Sequence, residues 1–136
     1  MIITKKYLDE LTYNVLGSAI EVHKELGPGL LESVYHTCLF HELRLRNIHF
    51  QSQIVVPLNF KGNNIEANLR CDFLVEQCLV VELKATDLLA PVFDAQLLTY
   101  MKLLSVPKGI LINFNCINLF KEGQKTFVND LYRILK

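Results

Sequence analysis

Two apolar runs with a short polar break between them occupy residues 70–84. The first is Arg70-Cys71-Asp72-Phe73-Leu74-Val75 and the second is Cys78-Leu79-Val80-Val81-Glu82-Leu83-Lys84, with Glu76-Gln77 between. Runs of this length and composition read as adjacent strands joined by a tight turn. Apolar residues on both sides of Glu82 argue that the second run is a central strand, with helices needed on both faces of its sheet. Asp72, Glu82 and Lys84 interrupt this apolar stretch. Glu82 and Lys84 are two residues apart, so on a strand they point to the same face. A carboxylate and an ammonium at the end of a buried strand are costly unless they pair or bind something.

The remaining elements follow from periodicity. Leu8, Leu11, Val15, Ala19, Val22 and Leu26 recur at steps of three or four, which predicts a helix over 7–26 with one apolar stripe. Gly27-Pro28-Gly29 ends it, because glycine permits a left-handed cap and proline cannot continue the ladder. A second helix is expected from about Leu30 to about Arg46, with Leu31, Val34, Tyr35, Cys38, Leu39 and Leu43 inward. Ile54, Val56, Leu58 and Phe60 alternate within Gln53–Phe60, a strand pattern, and Lys61-Gly62-Asn63-Asn64 is a turn by composition. Strands are expected over Ile65–Val75 and Cys78–Lys84, making a three-stranded antiparallel meander. Leu88–Leu104 reads as a third helix if Pro91 lies in its first turn. Lys108–Phe114 is a buried strand, parallel to the third because a crossover helix joins them. In the tail, Asn118-Leu119-Phe120 is assigned to an edge strand and Val128–Leu135 to a short helix. The fold class is α/β, a mixed sheet flanked by helices, in one domain spanning 1–136.

Composition narrows the functional classes. The chain has 136 residues, 14 basic and 14 acidic, with zero formal net charge. A protein gripping duplex DNA by counterion release is usually basic, so a large nonspecific duplex surface is not expected. A small metal-dependent site remains compatible, since a bound cation adds local positive charge. Hydrophobic residues make up 51%, which suggests a homodimer or another partner chain. No apolar run approaches the ~20 residues that span a bilayer. The start, Met1-Ile2-Ile3-Thr4-Lys5-Lys6, lacks the order of a secretion signal, so a cytoplasmic location is expected. Cys38, Cys71, Cys78 and Cys116 form no C-x-x-C pair, and the histidines show no H-x-x-x-H spacing. That argues against zinc and for free thiols in a reducing compartment.

An acid on one strand and acid-x-lysine on the next is the set a divalent-metal phosphodiesterase site requires. Carboxylates hold a hard cation through oxygen, and the lysine steadies charge growing on the phosphate. The hairpin imposes a condition. A two-residue loop at Glu76-Gln77 would place Asp72 opposite Val81 and send Asp72 and Glu82 to opposite faces. Convergence requires a three-residue loop over Glu76–Cys78, a bulge, or a bend at Asp72. Plainer readings exist for each residue. Glu32 would be favoured by the macrodipole in a first helical turn. Tyr35 would be a packing residue, and Gln96 and Tyr100, four apart, would bond each other or cap nearby backbone. Glu82 would pair with Lys84 on an edge strand, and Asp72 with Arg70.

Several motifs stand in order: Gly29-Leu30-Leu31-Glu32-Ser33-Val34-Tyr35, Asp72 with Glu82-Leu83-Lys84, Gln96-Leu97-Leu98-Thr99-Tyr100, and Gly109-Ile110-Leu111-Ile112-Asn113-Phe114. In these the chain resembles the PD-(D/E)XK nuclease superfamily, and within it the small proteins called the GxxExxY family, over roughly residues 10–120. The Gln96 to Tyr100 segment looks like the Q-x-x-x-Y element of RecB-like nucleases. The resemblance implies a restriction-endonuclease-like core and hydrolysis of phosphodiester bonds in DNA or RNA. It implies Mg²⁺ or Mn²⁺ held by Asp72, Glu82 and the Leu83 backbone carbonyl, with Glu32 approaching directly or through water. Lys84 would orient or activate the attacking water, and Gln96, Tyr100 and Tyr35 would border the substrate. One departure stands out: family members often carry a histidine just before the glutamine helix, and here that place is Phe93. The alternative reading is a catalytically inactive binding or assembly module on the same fold, dimeric.

Overall fold

Leu79–Lys84 is buried along nearly its whole length because it is the middle strand of five. A computed structural model of the chain describes residues 2–136. Helices α1 (Lys5–Leu26) and α2 (Glu32–Leu45) come first, followed by strand β1 (Phe50–Val55). A two-stranded hairpin, β2 (Asn59–Phe60) and β3 (Asn63–Asn64), precedes β4 (Arg70–Val75) and β5 (Leu79–Lys84). Then come α3 (Pro91–Leu104), β6 (Lys108–Asn113), α4 (Leu119–Glu122), β7 (Gln124–Val128) and α5 (Asp130–Arg133). The main sheet runs β1-β4-β5-β6-β7. β1, β4 and β5 are antiparallel neighbours, β6 lies parallel to β5, and β7 returns antiparallel on β6.

The sheet has two covered faces. On one, α1 and α2 bring Leu8, Val15, Tyr35 and Leu39 against Phe73, Val81 and Ile110. On the other, α3 brings Leu97, Tyr100 and Met101 against Leu74, Val80 and Leu111. α3 lies very close at Gly109, where a Cβ would come within 2.8 Å of Met101 Sδ. α1 begins at a true cap, with Thr4 Oγ1 accepting from Tyr7 N–H at 3.0 Å. Pro91 occupies the first turn of α3, where its missing N–H costs nothing. Among the described residues, no helix is long and apolar enough to cross a membrane.

The elements depart from sequence expectation where the apolar signal is weak. The first strand is Phe50–Val55, not Gln53–Phe60. Val56 N–H still donates to Leu69 O at 2.8 Å, but Pro57 has no donor and the chain leaves the sheet. Phe60, expected inward, is 60% exposed on the small hairpin. The strand expected from Ile65 starts only at Arg70. α2 starts at Glu32 rather than Leu30, and Tyr35, Leu39 and Leu43 form its buried stripe. Leu31 and Val34, expected inward, are 74% and 38% exposed. The third helix starts at Pro91 rather than Leu88. Asn118-Leu119-Phe120 is not an edge strand. Asn118 caps α4 by accepting from Lys121 N–H at 3.0 Å, a role asparagine fills better than a strand position. The edge strand is β7, further along. The short helix expected over Val128–Leu135 narrows to Asp130–Arg133.

Candidate active site

The β4–β5 turn sets the site. Glu76 and Gln77 both have positive φ, 50° and 60°, and Cys78 N–H donates to Val75 O at 3.0 Å. This is the conformation of a type I′ turn. Pairing then resumes as Val75↔Leu79, Leu74↔Val80 and Phe73↔Val81, so Cys78 is an extra residue. It shifts the register by one and brings Asp72 level with Glu82. At that level the strands exchange side-chain bonds in place of a backbone pair. Asp72 N–H donates to Glu82 Oε2 at 2.6 Å, and Leu83 N–H donates to Asp72 Oδ2 at 2.8 Å. Each carboxylate thus stands where a carbonyl of the opposite strand would stand.

A second irregularity lies on the other side of β4. Gln53, between the pairs Ser52↔Phe73 and Ile54↔Cys71, has a φ of 52°. Such a conformation in a residue other than glycine costs roughly 1–2 kcal/mol. Alternation breaks here in both strands. Phe73 packs into the α1–α2 core, yet Cys71, two residues away, packs into the α3 core. The kink turns Asp72 toward α2. A pocket of about 250 Å³ results, lined by Glu32, Ser33, His36, Thr37, Gln53 and Asp72.

The electrostatics are those of crowded carboxyls. Burial first, then the Asp72 charge, pushes Glu82 up to about 8. Burial also raises Asp72, against the opposing pull of the Leu83 N–H, His36 and Lys84. Glu32, the first residue of α2, is exposed as a whole. Its carboxyl is nonetheless raised, by desolvation and then by Asp72. Lys84 faces the α3 side, with its Nζ 4.5 Å from the centre of the Phe93 ring. Among the described residues no carboxylate lies within 4.0 Å of it, so the edge-strand ion pair with Glu82 does not form. Nor does Asp72 pair with Arg70, whose Nη1 donates to Gln53 O at 3.4 Å.

The structure therefore brings Asp72, Glu82 and the Leu83 backbone together, with Glu32 and Lys84 on either side. It does not bring Tyr35 to the surface. Tyr35 is fully buried, stacked on Phe114 at 4.5 Å, and its hydroxyl donates to Gly27 O and accepts from Leu30 N–H. Tyr100 is also buried, near enough to Glu82 for that charge to raise its hydroxyl after desolvation does. Gln96 is half-buried one turn earlier on α3. Two further residues escaped the sequence reading. His36 Nε2 lies 3.2 Å from Ser52 Oγ and 3.4 Å from Asp72 O, with its ring stacked on Phe73. Its place four residues after Glu32, on the same helix face, was the available signal. Gln53 carried no signal, because its role is a backbone conformation. Among the described residues, no group of three or more His, Cys, Asp or Glu side chains is arranged as a metal cage. One oxygen of Asp72 and one of Glu82 are turned to backbone amides instead.

A mixed sheet flanked by helices, with acidic side chains at the β4–β5 junction, is consistent with the restriction-endonuclease-like class. A family model described as the PD-(D/E)XK nuclease superfamily matches residues 9–127, and the chain belongs to that superfamily. No curated protein and no solved structure gives a match.

Proposed function

We propose that this chain is a divalent-metal-dependent phosphodiesterase that hydrolyses nucleic acid. The observation that carries the reading is the clamp in which Asp72 and Glu82 each accept an amide of the other's strand region, 2.6 and 2.8 Å long. It holds two carboxyls together away from water, where burial raises both and the Asp72 charge opposes ionisation of Glu82. The available donors are all oxygen, which suits Mg²⁺ or Mn²⁺. Asp72, Glu82 and the Leu83 carbonyl would hold the cation, with Glu32 joining directly or through water. The Leu83 N–H points at Asp72, and a strand residue's carbonyl points to the same side as its N–H. Bound there, the cation would neutralise the carboxylates and polarise the scissile phosphate.

The chain's own groups do the remaining work. Lys84 stabilises charge on a nonbridging phosphate oxygen and orients the attacking water. Gln96 borders the substrate from α3, the buried Tyr100 backs the site beside Glu82, and Tyr35 fixes the turn that presents Glu32. The substrate is DNA or RNA as single strands or ends, since the surface is neutral and small. The test is cleavage of labelled nucleic acid with added Mg²⁺ or Mn²⁺ by wild type, Asp72→Asn and Lys84→Ala. Asparagine can still accept the Leu83 N–H, so the fold survives. Both variants lose turnover; equal rates in all three proteins refute the reading.

The same hydrogen bonds support a second reading, in which the clamp only joins β4 to β5 in a dimeric assembly module of this fold. Calorimetry showing no metal uptake at millimolar concentration, with a persistent dimer, favours it.

A further inference from the structure

Lys84 presents a question of placement. It is half-buried at the end of the central strand, on the same face as Glu82. An ammonium there would ordinarily close onto a neighbouring carboxylate, yet none lies within 4.0 Å among the described residues. The Phe93 ring centre stands 4.5 Å from Nζ instead. An aromatic face attracts a cation through its quadrupole and leaves the full charge in place.

The ring is held for that purpose by its own surroundings. Phe93 lies in the first turn of α3, after Pro91, with its N–H donated to Ala90 O at 3.0 Å. It packs at the edge of the α3-side core, so the ring cannot swing into solvent without losing apolar contact. The carboxylate next along the helix turns to the other side: Asp94 Oδ2 lies 3.4 Å from Lys125 Nζ, and its buried Oδ1 makes no bond to Lys84. The first turn of α3 therefore meets Lys84 with a ring, and its one carboxylate, Asp94, stays more than 4.0 Å from the ammonium.

We propose that Phe93 is the positioning residue for Lys84. Its ring face carries the ammonium beside the Asp72–Glu82 clamp and keeps it from closing onto either carboxylate. Two things follow. The carboxylates stay available to a cation, and the ammonium stays available to a phosphate oxygen. A lysine paired with Glu82 would cancel both. The task given to Lys84 rests on the phosphodiesterase reading, but its placement on the ring does not.

The experiment compares wild type, Phe93→Leu and Phe93→Tyr in the full chain. Leucine keeps an apolar side chain in the core and removes the ring; tyrosine keeps the ring. In protein labelled with ¹³C-lysine, with Lys84→Arg to assign the signal, the Lys84 Hε resonance is expected upfield from ring current. It is expected to return to the ordinary lysine position in Phe93→Leu and to stay upfield in Phe93→Tyr. Turnover of labelled single strands with Mg²⁺ is expected to fall about tenfold in Phe93→Leu with KM unchanged, and to be retained in Phe93→Tyr. An unshifted Lys84 signal in folded wild type overturns the proposal, and so does Phe93→Leu turning over at the wild-type rate. If wild type cleaves nothing, the phosphodiesterase reading fails separately, and the resonance alone decides whether the ring holds the lysine.

Discussion

Glu82 is 4% exposed and must either hold a proton or meet a cation. Its carboxyl ionises near 4.5 when unfolded and is pushed up to about 8 in the fold. Between those values the folded state binds the extra proton. The stability from this group is therefore complete below the unfolded value and is lost as pH rises through about 8. Metal-free wild type should melt at lower temperature as the pH is raised from about 6 to about 9. Glu82→Gln, which can still accept the Asp72 N–H, should show a flatter curve and the higher Tm at the alkaline end. Parallel melting curves would remove the argument. A cation at this site must displace that proton, so Mg²⁺ affinity should weaken about tenfold per pH unit below about 8. Calorimetry in two buffers of different ionisation enthalpy would register about one proton released per metal. Asp72, Glu82 and Lys84 were legible because charge inside an apolar run is conspicuous. His36 and Gln53 were not. One is recognised only by its distance to Ser52 and the Asp72 carbonyl, the other only by a φ of 52°.

Helices and central strands were readable because their burial repeats at 3.6 or 2 residues, or is continuous. α1 ended at Leu26 and β6 began at Lys108 as the pattern required. Edges were less readable. β7 has only half-buried and exposed positions, so it carries almost no hydrophobic signal and is defined by hydrogen bonds to β6. The asparagine-rich stretch before β4 looks like strand by alternation, but residues 61–68 are exposed and only Leu69 packs against the α3-side core. Close packing between elements gives two tests. At Gly109 a methyl group would meet Met101 Sδ at 2.8 Å and Leu97 at 3.0 Å. Gly109→Ala should lower stability by about 1–3 kcal/mol in urea denaturation, because α3 must move off β6. An unchanged midpoint would mean the two side chains give way freely. Tyr35→Phe leaves Gly27 O and Leu30 N–H without their partner in the α1–α2 turn. A loss of about 1–3 kcal/mol is expected, and an equally stable variant would show that water replaces the hydroxyl.

As a whole the molecule is electrically balanced, 14 basic residues against 14 acidic. Under the proposed function, counterion release is not expected to supply most of the hold on a nucleic acid. Binding of a labelled single strand, followed by fluorescence anisotropy, should weaken less than about tenfold between 50 and 200 mM salt. A much steeper dependence would reveal a basic surface that this charge count argues against. The amino-acid sequence by itself determined the layered α/β architecture, because a central strand apolar on both faces requires helices above and below it. It also determined which charged residues are out of place there, since alternation and burial are local properties of the chain. Only the tertiary structure decided that Asp72 and Glu82 meet. That depends on one extra residue at Cys78, which sets strand register, and on a paired kink at Gln53 and Asp72, which turns one carboxyl toward α2. It likewise decided that Lys84 rests on Phe93. Such contacts join residues far apart along the chain, and no periodicity encodes the distance between them.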